Sequence, residues 1–123
     1  MKVKKIKINL KSLEDVGKET IEAMRSVERG KKVAPKPHEI VFSDFMALRS
    51  FLTPKRLELI RLIRKHAPSS IAELARVAKR DFARVYQDVQ MLAEAEIIDM
   101  PRRSKGEKTK LEVAEEIRLE IVV

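Results

Sequence analysis

The sequence predicts a mainly α-helical α+β protein, and three observations carry the prediction. Hydrophobic residues fill 44% of the 123 positions while aromatics fill only 4%, so aliphatic side chains must supply the core. That composition favours helices packed on helices. Three helical patterns follow one another closely between Thr53 and Ala95, each opened by a capping residue. Strand-like alternation marks both ends of the chain.

Ile6, Ile8 and Leu10 alternate with Lys5 and Lys7, which reads as a strand over 1–10 whose charged face would protect a sheet edge. Ser12 opens a helix over about 12–29. Leu13, Val16, Ile21, Met24 and Val27 form its apolar stripe, and Gly30 ends it. Residues 30–37 hold two prolines and three lysines and read as a loop. A short strand over 38–42 follows. Ser43 then caps a short helix with Phe45, Leu48, Phe51 and Leu52 inward.

Thr53-Pro54 is a helix start, because Thr caps and proline at the first helical position loses no needed N–H. Leu57, Leu59, Ile60, Leu62 and Ile63 build a wide buried face, and Pro68 stops the helix. Ser69 and Ser70 cap the next one, with Glu73 placed as in a capping box. Ile71, Leu74, Ala75 and Ala78 face inward. Asp81 caps the third helix, whose inner face is Phe82, Val85, Val89 and Leu92. Ile97, Ile98 and Met100 read as a strand, and Leu111 and Val113 as its return. Residues 97–113 thus form a hairpin with a basic tip. The stretch 114–123 fits a further strand or a short helix.

A tight link between two helices, followed by a hairpin, has the form of a winged helix-turn-helix. In such a unit the third helix enters the major groove of DNA. With its apolar residues inward, this helix turns Arg80, Ala83, Arg84 and Gln87 outward. Arginine can bond guanine bidentately, and glutamine can do so with adenine. Ser69, Ser70 and Lys79 lie where phosphate contacts are expected. Arg102, Arg103, Lys105, Lys108 and Lys110 crowd the hairpin, opposed by Glu107 alone, and would reach the flanking backbone or minor groove. The formal charge of +8 suits a polyanionic partner, although charge by itself is equally the mark of a soluble surface.

Other chemistries lack residues. The chain has no cysteine, hence no disulfide or thiolate site. His38 reads as an exposed loop residue and His66 as the end of a helix, so no metal is expected. Glu115 and Glu116 are adjacent and would not converge on a substrate. Glycine stands only at 17, 30 and 106, which leaves no glycine-rich phosphate loop. Tyr86, Met24, Met46 and Met91 read as core or interface fillers. The expectation is a protein that is not an enzyme and carries no cofactor. No apolar run suits a membrane span and the start does not resemble a signal peptide, so a cytoplasmic place is expected.

The run from Leu52 to Asp99 resembles MarR-like winged-helix predicted transcriptional regulators of archaea and bacteria. The matching pieces are LTPKRLELI, SSIAELA and KRDFARVYQDVQML, then a leucine and paired isoleucines before the basic hairpin. The resemblance covers about 43–113. It implies a winged helix, double-stranded DNA binding and a homodimer.

Two regions follow: a strand-helix extension over 1–37, for dimerisation or partner binding, and a winged helix-turn-helix over 38–123. The stripe of the N-terminal helix could pack on its own chain or across a two-fold axis. Three functions compete. The first is a sequence-specific, dimeric DNA-binding regulator. The second is an antitoxin-like autoregulator that holds a protein toxin through the N-terminal segment. The third is a winged-helix protein-interaction module.

Overall fold

The computed structural model describes residues 5–11, 13–30, 38–100 and 110–121. Among them the order is β1 (Lys5–Leu10), α1 (Leu13–Glu28), β2 (His38–Phe42), α2 (Phe45–Phe51), α3 (Pro54–His66), α4 (Ile71–Ala78), α5 (Phe82–Glu94), β3 (Ile98–Asp99), β4 (Glu112–Val113) and β5 (Glu116–Glu120). This is a small α+β protein with five helices among the described residues.

The caps act where the sequence places them, with one shift. Thr53, Ser70 and Asp81 accept from the backbone N–H groups of Arg56, Glu73 and Arg84. The cap of α2 is Asp44 and not Ser43: its carboxylate accepts from Ala47 N at 2.8 Å. The stop signals differ more. Glycine is scarce, so Ala67 and Lys79 take the left-handed conformation at the ends of α3 and α4, with φ of 44° and 56°.

The N-terminal region does not stand apart. A three-stranded sheet runs in the order β2-β1-β5, parallel throughout. The predicted division at residue 37 therefore passes through a sheet, and within the stretch left open at 114–123 Glu116–Glu120 is a strand. β1 lies at the centre, so the expectation that its lysines guard an edge is corrected. Its alternation sorts the two faces instead. Ile6 and Ile8 are buried beside Ile40 and Ile117, while Lys7 and Asn9 share the other face with Glu39 and Glu120. Lys7 pairs with Glu120 at 2.8 Å, and Asn9 donates to Glu39 at 2.7 Å.

One core unites the sheet and the helices. Ile6, Ile8, Leu59, Ile63, Leu74, Val85, Val89, Leu92, Ile97 and Leu111 are all buried within it. Antiparallel β3 and β4 are tied down at both flanks. Leu111 N donates to Pro68 O and Ala114 N to Ile97 O, at 2.8 and 2.9 Å.

Several expected core positions are exposed. Phe45 and Phe82 lie on the surface, as do Met24, Met46 and Met91. Phe82 opens α5 and stacks on Tyr86 at the surface. On α1, Ile21 and Met24 are 53% and 63% exposed, so these two members of its stripe are left uncovered among the described residues. The outer face of the sheet carries Lys7, Asn9, Glu39 and Glu120, with Val41 exposed among them. His38 is not in a loop. It begins β2 half-buried, with Nε2 3.3 Å from Ala95 O and Nδ1 3.4 Å from Glu96 Oε2.

Candidate nucleic-acid interface

The outward surface of α5 is set by its buried side. Val85, Val89 and Leu92 are fully enclosed, which leaves Ala83, Arg84, Tyr86, Gln87 and Gln90 exposed on the remaining arc. Asp81 fixes the start of the helix. Phe82 and Tyr86 stack with centroids 6.0 Å apart, and Gln90 donates to the Tyr86 hydroxyl at 2.8 Å. Tyr86 is thus a surface residue and not the core residue expected.

Arg80 has a different setting from Arg84. Its Nη2 donates to Asp88 Oδ2 at 2.9 Å, and its side chain is only 17% exposed. The other oxygen of Asp88 accepts from Arg56 Nε at 3.0 Å. Arg56 also donates to Phe51 O at 2.7 Å and lies over the Phe51 ring. One carboxylate therefore joins α3, α5 and the turn between α4 and α5. Arg80 Nη1 is buried without a hydrogen-bond partner among the described residues. The bridge costs Arg80 the freedom expected of a base-reading side chain.

Beside this bridge runs a groove of about 560 Å³. Its lining includes Lys55, Arg56, Arg80, Arg84, Gln87 and Asp88. Four cations thus face one carboxylate. Arg84 and Lys55 are exposed and form no ion pair with a described residue.

The serines have structural duties. Ser70 Oγ accepts from Glu73 N, while Ser69 donates to Glu73 Oε2 from both its backbone N and its hydroxyl, at 2.9 and 2.8 Å. Those bonds from Ser69, backbone first, hold the Glu73 carboxyl below the usual range. The reciprocal bond of the capping box thus lands one residue earlier than the pattern predicts. Lys79 is exposed at the left-handed end of α4, and Lys110 is exposed just before β4. Arg102, Arg103, Lys105 and Lys108 lie outside the described residues.

The structure brings Arg80, Arg84 and Gln87 to one groove, and it adds Lys55, Arg56 and Asp88, which the sequence reading missed. A helical wheel offered a signal for Asp88. It is a carboxylate four residues after Arg84 and eight after Arg80, on the flank of the buried arc.

A second cluster lies on the outer face of the sheet. Lys11 pairs with Glu19 of α1 at 2.8 Å and with Glu39 of β2 at 3.1 Å. These bonds, Glu19 first, raise the pKa of its ammonium above the usual lysine value. They anchor the N-terminal part of α1 and satisfy one another. Among the described residues no cluster of three or more His, Asp or Glu is placed to hold a metal ion. No described helix is long and apolar enough to cross a membrane.

The class is therefore an α+β protein in which three successive helices are followed by an antiparallel strand pair. A family model described as HVO_A0114 matches residues 51–117, more than half of the chain, and the chain belongs to that family. The match spans α3 to β4 and leaves β1, α1 and β2 outside it. No curated protein and no solved structure matches the chain.

Proposed function

We propose that this protein is a sequence-specific, double-stranded-DNA-binding transcriptional regulator of the winged helix-turn-helix kind. α5 is its recognition helix in the major groove, and the basic stretch between β3 and β4 is a wing on the flanking backbone or minor groove. The observation that carries the reading is the free face of α5, where Arg84 and Gln87 stand exposed on a helix whose other side is locked in the core. The strand pair after it supports a wing, and five basic residues fall within nine positions of that stretch. The earlier resemblance to MarR-like regulators points the same way. On this reading the protein works in the cytoplasm as a homodimer, binds DNA and catalyses no reaction.

The exposed Ile21 and Met24 of α1 favour a protein contact. A second copy would place two recognition helices about one DNA turn apart, roughly 34 Å. A toxin-like protein held by α1 is the second reading, and the same observation supports it.

A salt titration of binding tests the function. Duplex from upstream of the gene is compared with random duplex, for the wild type and for a variant with all five wing basics changed to serine. Tighter upstream binding that weakens steeply with salt is expected, with a shallower slope for the variant. No binding to either duplex at low salt would overturn the reading.

A further inference from the structure

We propose that the groove between α3 and α5 is the seat of one backbone phosphodiester of the bound DNA, gripped by Lys55, Arg84 and Arg80. The inference rests on α5 being the helix that meets DNA, and it divides the labour along that helix.

Position on the helix comes first. Residues turn by about 100° each, so Arg84 lies about 40° round from Asp88 while Gln87 lies about 100° away. Asp88 marks the α3 side of α5, because it accepts from Arg56. Arg84 therefore leans towards α3 and over the groove, and Gln87 stands nearer the centre of the outward face. A side chain at the margin of a recognition helix meets the sugar-phosphate wall of the major groove, and one at its centre meets base edges.

Charge comes second. The lining carries four cations and one carboxylate, and that carboxylate is spent on Arg56 and Arg80. Lys55 of α3 and Arg84 of α5 are left without an ion-pair partner among the described residues. An oxyanion between them neutralises both, which surface cations facing each other across a groove otherwise cannot do.

The buried nitrogen comes third. Arg80 Nη1 is enclosed and has no acceptor among the described residues. A buried N–H without a partner is unfavourable and calls for an acceptor from outside the protein. Arg80 lines the groove with its Nη2 held by Asp88, so on this proposal its Nη1 is the donor offered to the phosphate. Asp88 thus acts as a positioning residue that holds Arg80 at the groove wall.

The test is a salt titration of duplex binding by Lys55→Ala, Arg84→Ala, Gln87→Ala and Arg61→Ala. Arg61 is an exposed cation of α3 outside the groove, and so a control for net charge. Each groove variant is expected to lower the slope of log K against log salt by about 0.9, equally on upstream and random duplex, with Arg61→Ala unchanged. Gln87→Ala is expected to keep the slope and lose upstream preference. Circular dichroism checks that each variant keeps its helices. Groove variants with the slope of Arg61→Ala, in a protein that still binds duplex, overturn the seat and leave the DNA-binding reading intact. A wild type that binds no duplex overturns both. If inorganic phosphate raises the melting temperature as much as duplex does, the groove holds free phosphate, and the phosphodiester assignment fails.

Discussion

Asp88 of α5 accepts a hydrogen bond from Arg56 of α3 at 3.0 Å, with both side chains about five-sixths buried. The contact fastens the start of one helix to the middle of another. It does so where a second arginine, Arg80, uses the remaining carboxylate oxygen.

Removing that carboxylate strands two guanidiniums in a poorly solvated place. Asp88→Ala is expected to lower the unfolding free energy by about 2–4 kcal/mol, read from urea denaturation. A loss below about 0.5 kcal/mol would mean that the bridge behaves as a solvated surface pair.

Ile8 tests whether β1 belongs to the same cooperative unit as the helices. It is fully buried, against residues contributed by the helices and hairpin. Ile8→Ala is expected to destabilise the whole chain by about 2–5 kcal/mol, in a single transition seen alike by far-ultraviolet dichroism and by Tyr86 fluorescence. Two separate transitions would restore an independent N-terminal extension.

Ala67 ends α3 at φ 44°, a conformation that costs a β-carbon-bearing residue about 1–2 kcal/mol. Ala67→Gly removes that strain and adds chain entropy to the unfolded state. A net gain of about 0.5–1 kcal/mol in thermal or urea unfolding is expected. A loss would show that the alanine methyl makes a contact worth more than the strain.

Glu73 supplies a pH signature. Ser69 donates to its ionised form, so its pKa is lower in the folded chain than in the unfolded one. A depressed carboxyl contributes stability above its unfolded value, near 4.5, and loses it as the pH falls through the folded value. Glu120, held down by Lys7, behaves alike. Unfolding free energy followed downward from neutral pH should therefore fall less steeply in Glu73→Gln than in the wild type. An unchanged acid limb would place the effect elsewhere.

Much of the helical part was legible because it rests on local rules. Thr53, Ser70 and Asp81 cap within three residues of their partners, and Val85, Val89 and Leu92 repeat at helical spacing. The exposed Arg84 and Gln87 followed from the same wheel. Ser69 did not, since its hydroxyl serves Glu73 before any external ligand. Phe82 was misread because a wheel assigns every apolar residue near the arc to the core, while this ring stacks on Tyr86 at the surface.

The sequence by itself determined the helices and the strands that precede residue 114, where three of the helices begin and which side of α5 holds the buried Val85, Val89 and Leu92. All of these depend on residues a few positions apart. Only the tertiary structure decided that β1 lies between β2 and β5, because parallel pairing joins segments far apart in sequence and leaves no local mark. It also decided that 116–120 is a strand, through its register with Lys5–Asn9. The groove belongs to the same category. Arg56 and Asp88 are 32 positions apart, and only the packing of α3 on α5 turns two ordinary charges into a bridge, with Lys55 and Arg84 left facing across it.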